Sequence, residues 1–264
     1  MPERGEKLSN ERYPFIAVVG PVGVGKSTFT ELIATGIGIT QFQEPYRENP
    51  YLKDFYLRSP ADFSFDTQMF FLANKGLQVR KIEGLAKAGP VIQDPGIDVD
   101  FMIASAQHDM HWMTHTQFDT YKSAFVNVFA DSLVPDIYIA LKAKPDTVIK
   151  RIKGRGREME LAMHEKYPEY FSMLARKFDK WLSHKRKQRG NWIVEIDTDR
   201  FDFTGGDDIK ESVVKEAINW TNYLLTNPNQ RNTIGSDGAK LIIPRSFRIT
   251  RHFADPVPGA NINY

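Results

Sequence analysis

The stretch Gly20-Pro21-Val22-Gly23-Val24-Gly25-Lys26-Ser27 limits what this chain can fold into more than any other, because it fits the pattern G-x-x-x-x-G-K-[ST]. It stands after an apolar run, Phe15 to Val19, and before a helical pattern, Thr28 to Thr35, so strand, loop and helix follow in the order the pattern needs. In such a loop the glycines let successive backbone N–H groups turn inward on a phosphate, and the start of the next helix adds its positive end. Lys26 then reaches for the terminal phosphates, and the Ser27 hydroxyl is a candidate ligand for Mg²⁺. Gly20, Gly23, Gly25, Lys26, Ser27 and Thr28 are therefore the candidate nucleotide-binding residues of the loop.

Four further apolar runs, at Ile39–Glu44, Val91–Gln93, Ile137–Leu141 and Trp192–Ile196, alternate with helical patterns. Those patterns cover Ala61–Lys87, Val99–His111, Thr114–Asp131, Asp146–Lys153, Glu160–Lys187 and Asp207–Leu225. Within the first of them, Phe63, Met69, Phe70, Leu77 and Ile82 are the residues available for burial, and Thr114 with Gln117 forms a capping-box signature. Alternation of this kind implies an α/β fold: a five-stranded parallel sheet covered by helices on both faces. Residues 1–12 read as a flexible N-terminus, 13–226 as one domain, and 227–264, rich in Asn, Gly and Pro, as a tail of unknown role.

Thirty-five basic against 33 acidic residues leave a formal charge of +2, too small to imply nucleic-acid binding by net electrostatics. The absence of cysteine excludes disulfides and thiolate chemistry and agrees with a reducing compartment. With no membrane span and no signal-like N-terminus in the sequence, a cytoplasmic location is the default expectation.

A phosphate held by the loop needs charge to neutralise it and a group to orient an acceptor. Glu44, leaving the second run before Pro45, is placed at the carboxyl end of a parallel strand, where sites gather in such sheets. Asp94 ends the third run and is the second candidate metal ligand. Arg151 and Arg155 lie one helical turn apart, and Gly156 lets the chain bend before Arg157; guanidinium forks suit phosphate oxygens. The run Lys185-Arg186-Lys187 closes a helix, where positive charge complements the dipole. His108, His111 and His115 have metal-like spacing, but a helix start at Thr114 puts His115 on a new element, so they need not converge.

Taken in order, these motifs resemble the deoxynucleoside kinase family from about Phe15 to Leu225. The resemblance rests on the loop, the Glu44-Pro45 pair, Gln68 in a Phe-rich helix, the acid-led turn at Asp94, the segment Met113 to Tyr121, and Arg151-x-x-x-Arg155-Gly156-Arg157-x-x-Glu160. It implies a P-loop kinase fold with a short arginine-rich lid, ATP or another NTP as donor, Mg²⁺, a deoxynucleoside substrate and a homodimer, with neither nucleic acid nor membrane as partner. By the same resemblance Glu44 is the catalytic base for the 5′-hydroxyl, Gln68 pairs with the nucleobase, and Lys75 stands where the family often has an arginine at the base. Asp100 is the aspartate partnering that arginine, Tyr56 and Glu160 hold the sugar, and Arg151, Arg155 and Arg157 close on the donor phosphates, with Lys26, Arg155 and Arg157 counted among the catalytic groups.

One departure stands out: Asp94-Pro95-Gly96 replaces the family's Asp/Glu-Arg-Ser, and Arg47, three residues beyond Glu44, is a candidate to supply the missing charge. Two rival readings are a monophosphate kinase of the thymidylate kinase type, which needs a second phosphate clamp at this turn, and a nucleotide-binding scaffold without catalysis.

Overall fold

A computed structural model describes residues 12–187, 192–199, 219 and 247–251 of the chain, the last five as backbone. Strands β1 (Phe15–Val19), β2 (Thr40–Gln43), β3 (Val91–Asp94), β4 (Ile137–Lys142), β5 (Trp192–Asp197) and β6 (Phe247–Arg251) form one sheet in the order β2-β3-β1-β4-β5-β6. The first five are parallel, as the alternation of apolar runs and helices implies. β6 pairs antiparallel with β5, so part of the tail adds an edge strand that the sequence reading did not assign.

Every residue of β1 and β3 is buried, which explains why β1 is apolar throughout rather than alternating; β3 buries the polar Gln93 and Asp94 along with Val91 and Ile92. Ile16, Val18, Ile139 and Ile196 pack on one face against Phe29, Ile33 and Ile37 of α1 (Lys26–Ile37). Ala17, Val19, Tyr138 and Ile193 face the other way, onto Met102 of α4 (Ile97–Asp109) and Phe178 and Trp181 of α8 (Glu169–Lys185). β1 is thus sealed between two apolar layers, and the loop that follows it is mounted on the most buried strand of the sheet.

The remaining helices are α2 (Leu52–Leu57), α3 (Pro60–Leu85), α5 (His115–Phe129), α6 (Pro145–Arg155) and α7 (Glu158–Lys166). The capping box at Thr114 forms, with Thr114 Oγ1 accepting from Gln117 N and the Gln117 side chain reaching back to Thr114 N. The single helix expected over 160–187 is two, because Tyr167 before Pro168 leaves the helical region (φ −138°, ψ 71°) and α8 restarts at Glu169. Arg12, read as part of a flexible end, is fixed by a two-pronged contact with Asp136, at 2.6 and 2.9 Å. The expected closing helix over 207–225 lies outside the described residues except for Asn219, which is helical, and so do residues 1–11 and most of the tail.

α3 departs most from expectation. Its buried stripe runs Ser64, Thr67, Gln68, Phe71, Leu72, Lys75, Gly76, Val79, Ile82, while Leu77 is 52% exposed. The spacing is helical, yet polar residues occupy several of the inward positions; of the residues expected to be buried, Ile82 is, Phe63, Met69 and Phe70 are half-buried, and only Leu77 turns to solvent.

Two glycines give opposite expectations for stability. A Cβ on Gly96, just after β3, would lie 2.8 Å from Ala17 Cβ, whereas at Gly84, near the end of α3, it would meet nothing within 4 Å. Gly96→Ala should lose roughly 1–3 kcal/mol through overpacking, and Gly84→Ala should gain about 0.5–1 kcal/mol through helix propensity. Urea titration of each variant measures both, and a gain at position 96 would contradict this packing.

Candidate active site

The site begins with strand pairing. Gln43 of β2 stands opposite Asp94 of β3, and the next amide, Glu44 N, donates to Asp94 O at 3.0 Å. β3 also pairs with β1, and Gly96 N donates to Val18 O at 3.0 Å. The carboxyl ends of three adjacent strands therefore carry Glu44, Asp94 and the glycine loop side by side.

Within the loop Gly23 and Gly25 have φ of 82° and 100°, left-handed values that favour glycine. A Cβ on Gly23 would also lie 3.0 Å from Ile152 Cγ1 and 3.1 Å from Val148 Cγ1, so α6 packs directly on the loop. Lys26 Nζ donates to the carbonyls of Gly20 (2.9 Å) and Pro21 (3.0 Å). Burial pushes its pKa down, and the carboxylates of Asp94 and Glu44 oppose that shift. Thr28 lies in the first turn of α1, behind the exposed Ser27. The pKa of the Asp94 carboxyl is raised, first by burial, with Lys26 and the Ser27 hydroxyl opposing. Asp94 Oδ1 is buried with no hydrogen-bond partner among the described residues.

Glu44 is the centre of a second group. Its carboxylate lies 3.4 Å from Lys75 Nζ, which is also 3.8 Å from Asp100 Oδ2 and donates to Pro95 O at 2.7 Å. Burial pushes the Asp100 carboxyl well up; Lys75 opposes this, and the nearby Glu44 carboxyl adds to it. Gln68, two turns before Lys75 on the same buried face of α3, keeps Oε1 unpaired among the described residues. Tyr121 on α5 is fully buried, with its hydroxyl likewise unpaired; burial, then Asp100 and Glu44, raise its pKa well above the usual phenol.

The arginines divide. Arg151 donates to Thr198 Oγ1 at 2.8 Å and Val24 O at 3.3 Å, tying α6 to the loop and to the end of β5. Gly156 ends α6 in the left-handed region, and Arg155 and Arg157, on either side of it, both donate to the buried Glu160 carboxylate. Arg157 also sits over the Tyr46 ring, 5.2 Å from its centre. Tyr56 is half-buried in the same quarter; burial raises its pKa well above the ordinary value, with Tyr170 and Glu160 adding and Arg155 opposing.

Arg47 does not supply charge to Glu44: it is exposed and donates from Nε to Tyr46 OH at 3.1 Å. That bond, with Arg157 nearby, lowers the Tyr46 pKa. His108 and His115 do meet, with Nε2 and Nδ1 2.8 Å apart, because α5 folds back along α4; His111 falls in the exposed turn between them. Among the described residues no group of three or more His, Cys, Asp or Glu is arranged to hold a metal ion. Phe71 and Trp112 are buried, Trp112 against Phe55 and Tyr170, as core aromatics. The sequence reading missed Tyr46, Tyr121 and Thr198. Thr198 follows the last residue of β5, so the rule that sites gather at carboxyl ends of strands reaches it; no comparable signal marks Tyr121.

A sequence model of the deoxynucleoside kinase family matches residues 16–221. The deoxyadenosine/deoxycytidine kinase of Bacillus subtilis (strain 168) is 33% identical over 171 residues, covering 64% of this chain and 76% of that one. A deoxyadenosine kinase from M. mycoides with the products dCMP and a flexible dCDP bound superposes with a TM-score of 0.67 at 27% identity, covering 79% of this chain and 99% of that one. A structure of deoxyadenosine kinase from M. mycoides with bound dATP gives a TM-score of 0.64 at 26% identity, over 78% of this chain and 100% of that one.

The raised Asp94 pKa predicts a pH signature. A carboxyl whose folded pKa lies above its unfolded one binds protons more tightly when folded, so its contribution to stability is present at low pH and is lost as pH rises between the two values. Asp94→Asn removes that loss. The difference in melting temperature, variant minus parent, should therefore widen as pH rises from about 4 towards neutrality; a difference that shrinks over this range would show that the carboxylate is stabilised by folding.

Proposed function

The chain belongs to the deoxynucleoside kinase family, a phosphotransferase acting on deoxynucleosides, and from that premise we propose that it moves the γ-phosphoryl of ATP or another NTP to the 5′-hydroxyl of a deoxynucleoside. The observation that carries this reading is the placement of the Glu44 carboxylate at the mouth of β2, tied through its own amide to Asp94 and beside the glycine loop. Glu44 takes the hydroxyl proton as the new O–P bond forms and the bond to the departing NDP breaks. Catalysis is mainly positioning and charge, as phosphoryl transfer allows. Loop amides and Lys26 hold the donor, and the carbonyl contacts of Lys26 keep its ammonium at the loop. Arg155 and Arg157, held on Glu160 at the bend after α6, are the cations this reading assigns to the donor phosphates, while Arg151 steadies the loop through Val24 O.

Ser27 and Asp94 fit a divalent cation: a hydroxyl and a carboxylate are hard oxygen donors, and one buried carboxylate oxygen has no partner among the described residues. Mg²⁺ held there supplies charge neutralisation at the donor phosphates. On the acceptor side, Gln68 and Asp100 present polar groups to the nucleobase, and Tyr56 and Glu160 to the sugar. Bound dATP in one structure of the M. mycoides deoxyadenosine kinase and the product dCMP in another support an NTP donor and a nucleoside acceptor. The same reading expects a cytoplasmic homodimer; among the described residues no helix is long and apolar enough to cross a membrane.

Incubation with γ-labelled ATP, Mg²⁺ and parallel sets of nucleosides, deoxynucleosides and their monophosphates should label the deoxynucleosides. Chelation of the metal should stop the reaction. Lys26→Ala should abolish turnover with the fold retained, and Glu44→Gln should lower kcat by about 10²–10⁴-fold. Label appearing only in the monophosphate set would replace this reading with the monophosphate kinase, and ATP binding with no label in any set would leave a scaffold.

A further inference from the structure

A catalytic carboxylate has to be held at one angle to its acceptor, and the turn after β3 offers no side chain for this. Pro95 has neither charge nor donor, and Gly96 is packed against Ala17. The other cations nearby are committed elsewhere: Lys26 to the loop carbonyls, Arg47 to Tyr46, and Arg155 and Arg157 to Glu160. Lys75 remains. Among the described residues it alone brings a cationic nitrogen within 4.0 Å of Glu44. Its side chain is 2% exposed, and its Nζ is directed by a 2.7 Å bond to Pro95 O, the carbonyl of the turn itself.

We propose that Lys75 is the positioning residue for Glu44: anchored on the Pro95 carbonyl and balanced by Asp100, it holds the Glu44 carboxylate toward the acceptor hydroxyl from within α3. This assigns Lys75 a role in the chemical step, distinct from the nucleobase contact that the family resemblance implies for its position. The ammonium donates to Pro95 O and stands as an ion-pair partner 3.4 Å from Glu44 and 3.8 Å from Asp100, a set of contacts that a planar guanidinium with fixed directions reproduces less readily. The anchor is short and neutral, and the two carboxyl contacts are longer, so the nitrogen is fixed first by the backbone. The proposal rests on the reading of Glu44 as the base.

The test compares Lys75→Met, Lys75→Arg, Glu44→Gln and the double variant Lys75→Met/Glu44→Gln, with kcat and KM measured for two deoxynucleosides carrying different bases. Lys75→Met is expected to lower kcat by about 10²-fold, the scale of a misplaced catalytic group, and by the same factor for both bases, with little change in KM. Lys75→Arg should recover part of that loss. In the Glu44→Gln background the Lys75 substitution should add no further loss, since a residue that acts through another has nothing left to position. A change in KM that differs between bases with kcat intact, or losses that multiply in the double variant, would overturn the proposal. A Glu44→Gln variant that keeps full activity would instead remove the reading of Glu44 as base, a separate failure. Urea midpoints are measured for each variant; should Lys75→Met not fold, Lys75→Gln, an uncharged donor of similar length, carries the same comparison with the same expected outcomes.

Discussion

Parallel pairing at the carboxyl ends of β2, β3 and β1 is the constraint on which the rest of the site depends. The 3.0 Å bond from Glu44 N to Asp94 O continues the β2–β3 ladder by one residue beyond the strands, and the 3.0 Å bond from Gly96 N to Val18 O does the same between β3 and β1. Backbone hydrogen bonds in a sealed sheet have little room to slip, because a one-residue shift would turn every core side chain to the opposite face. The positions of Glu44, Asp94 and the loop relative to each other are thus set by the same register that buries Ile16, Val18 and Ile92 on α1. Core packing and site geometry are one requirement rather than two.

Around that fixed row, charge is arranged so that each ionic group has a partner of opposite sign. Lys26 lies among Asp94 and Glu44, Lys75 between Glu44 and Asp100, and Arg155 and Arg157 on Glu160. Burying a charge is costly unless it is paired, and removing one member of a buried pair costs on the order of 3–5 kcal/mol. The carboxyls of Asp94 and Asp100 show the strain of this arrangement in their raised pKa values, for which burial is the largest cause. Such clusters are typical of sites where protonation and charge transfer are tuned. They also explain the unpaired atoms at Gln68, Asp94 and Tyr121: polar groups aimed inward where packing alone would have placed methyls.

α3 shows how such a site hides from a reading of hydropathy. The helix has a regular inward face, but Thr67, Gln68 and Lys75 lie on it and Leu77 does not. Periodicity in apolar residues is a signal of burial against a core, and here part of the buried face brings Lys75 to the carboxyl groups of Glu44 and Asp100 instead. The resemblance to a family singled out Gln68 and Lys75 where the pattern of hydrophobic residues could not. α7 and α8 illustrate a milder case: Pro168 marks the break, but the helix-forming residues on either side of it read as one run.

Sequence alone determined what depends on local chemistry and order. The glycine loop, with left-handed backbone that glycine tolerates, the five apolar runs of a parallel sheet, the capping box at Thr114 and the bend at Gly156 are all consequences of residues close together in the chain. Contacts between distant segments were decided by the tertiary structure. That Lys75 rather than Arg47 lies beside Glu44, that Arg151 reaches Thr198 at the end of the neighbouring strand, that His108 meets His115 and that β6 returns to pair with β5 all follow from how packed elements cross. The reason is physical: a side chain's type records what it can bond with, while its partner is chosen by the helix crossings and strand register that a whole core settles at once.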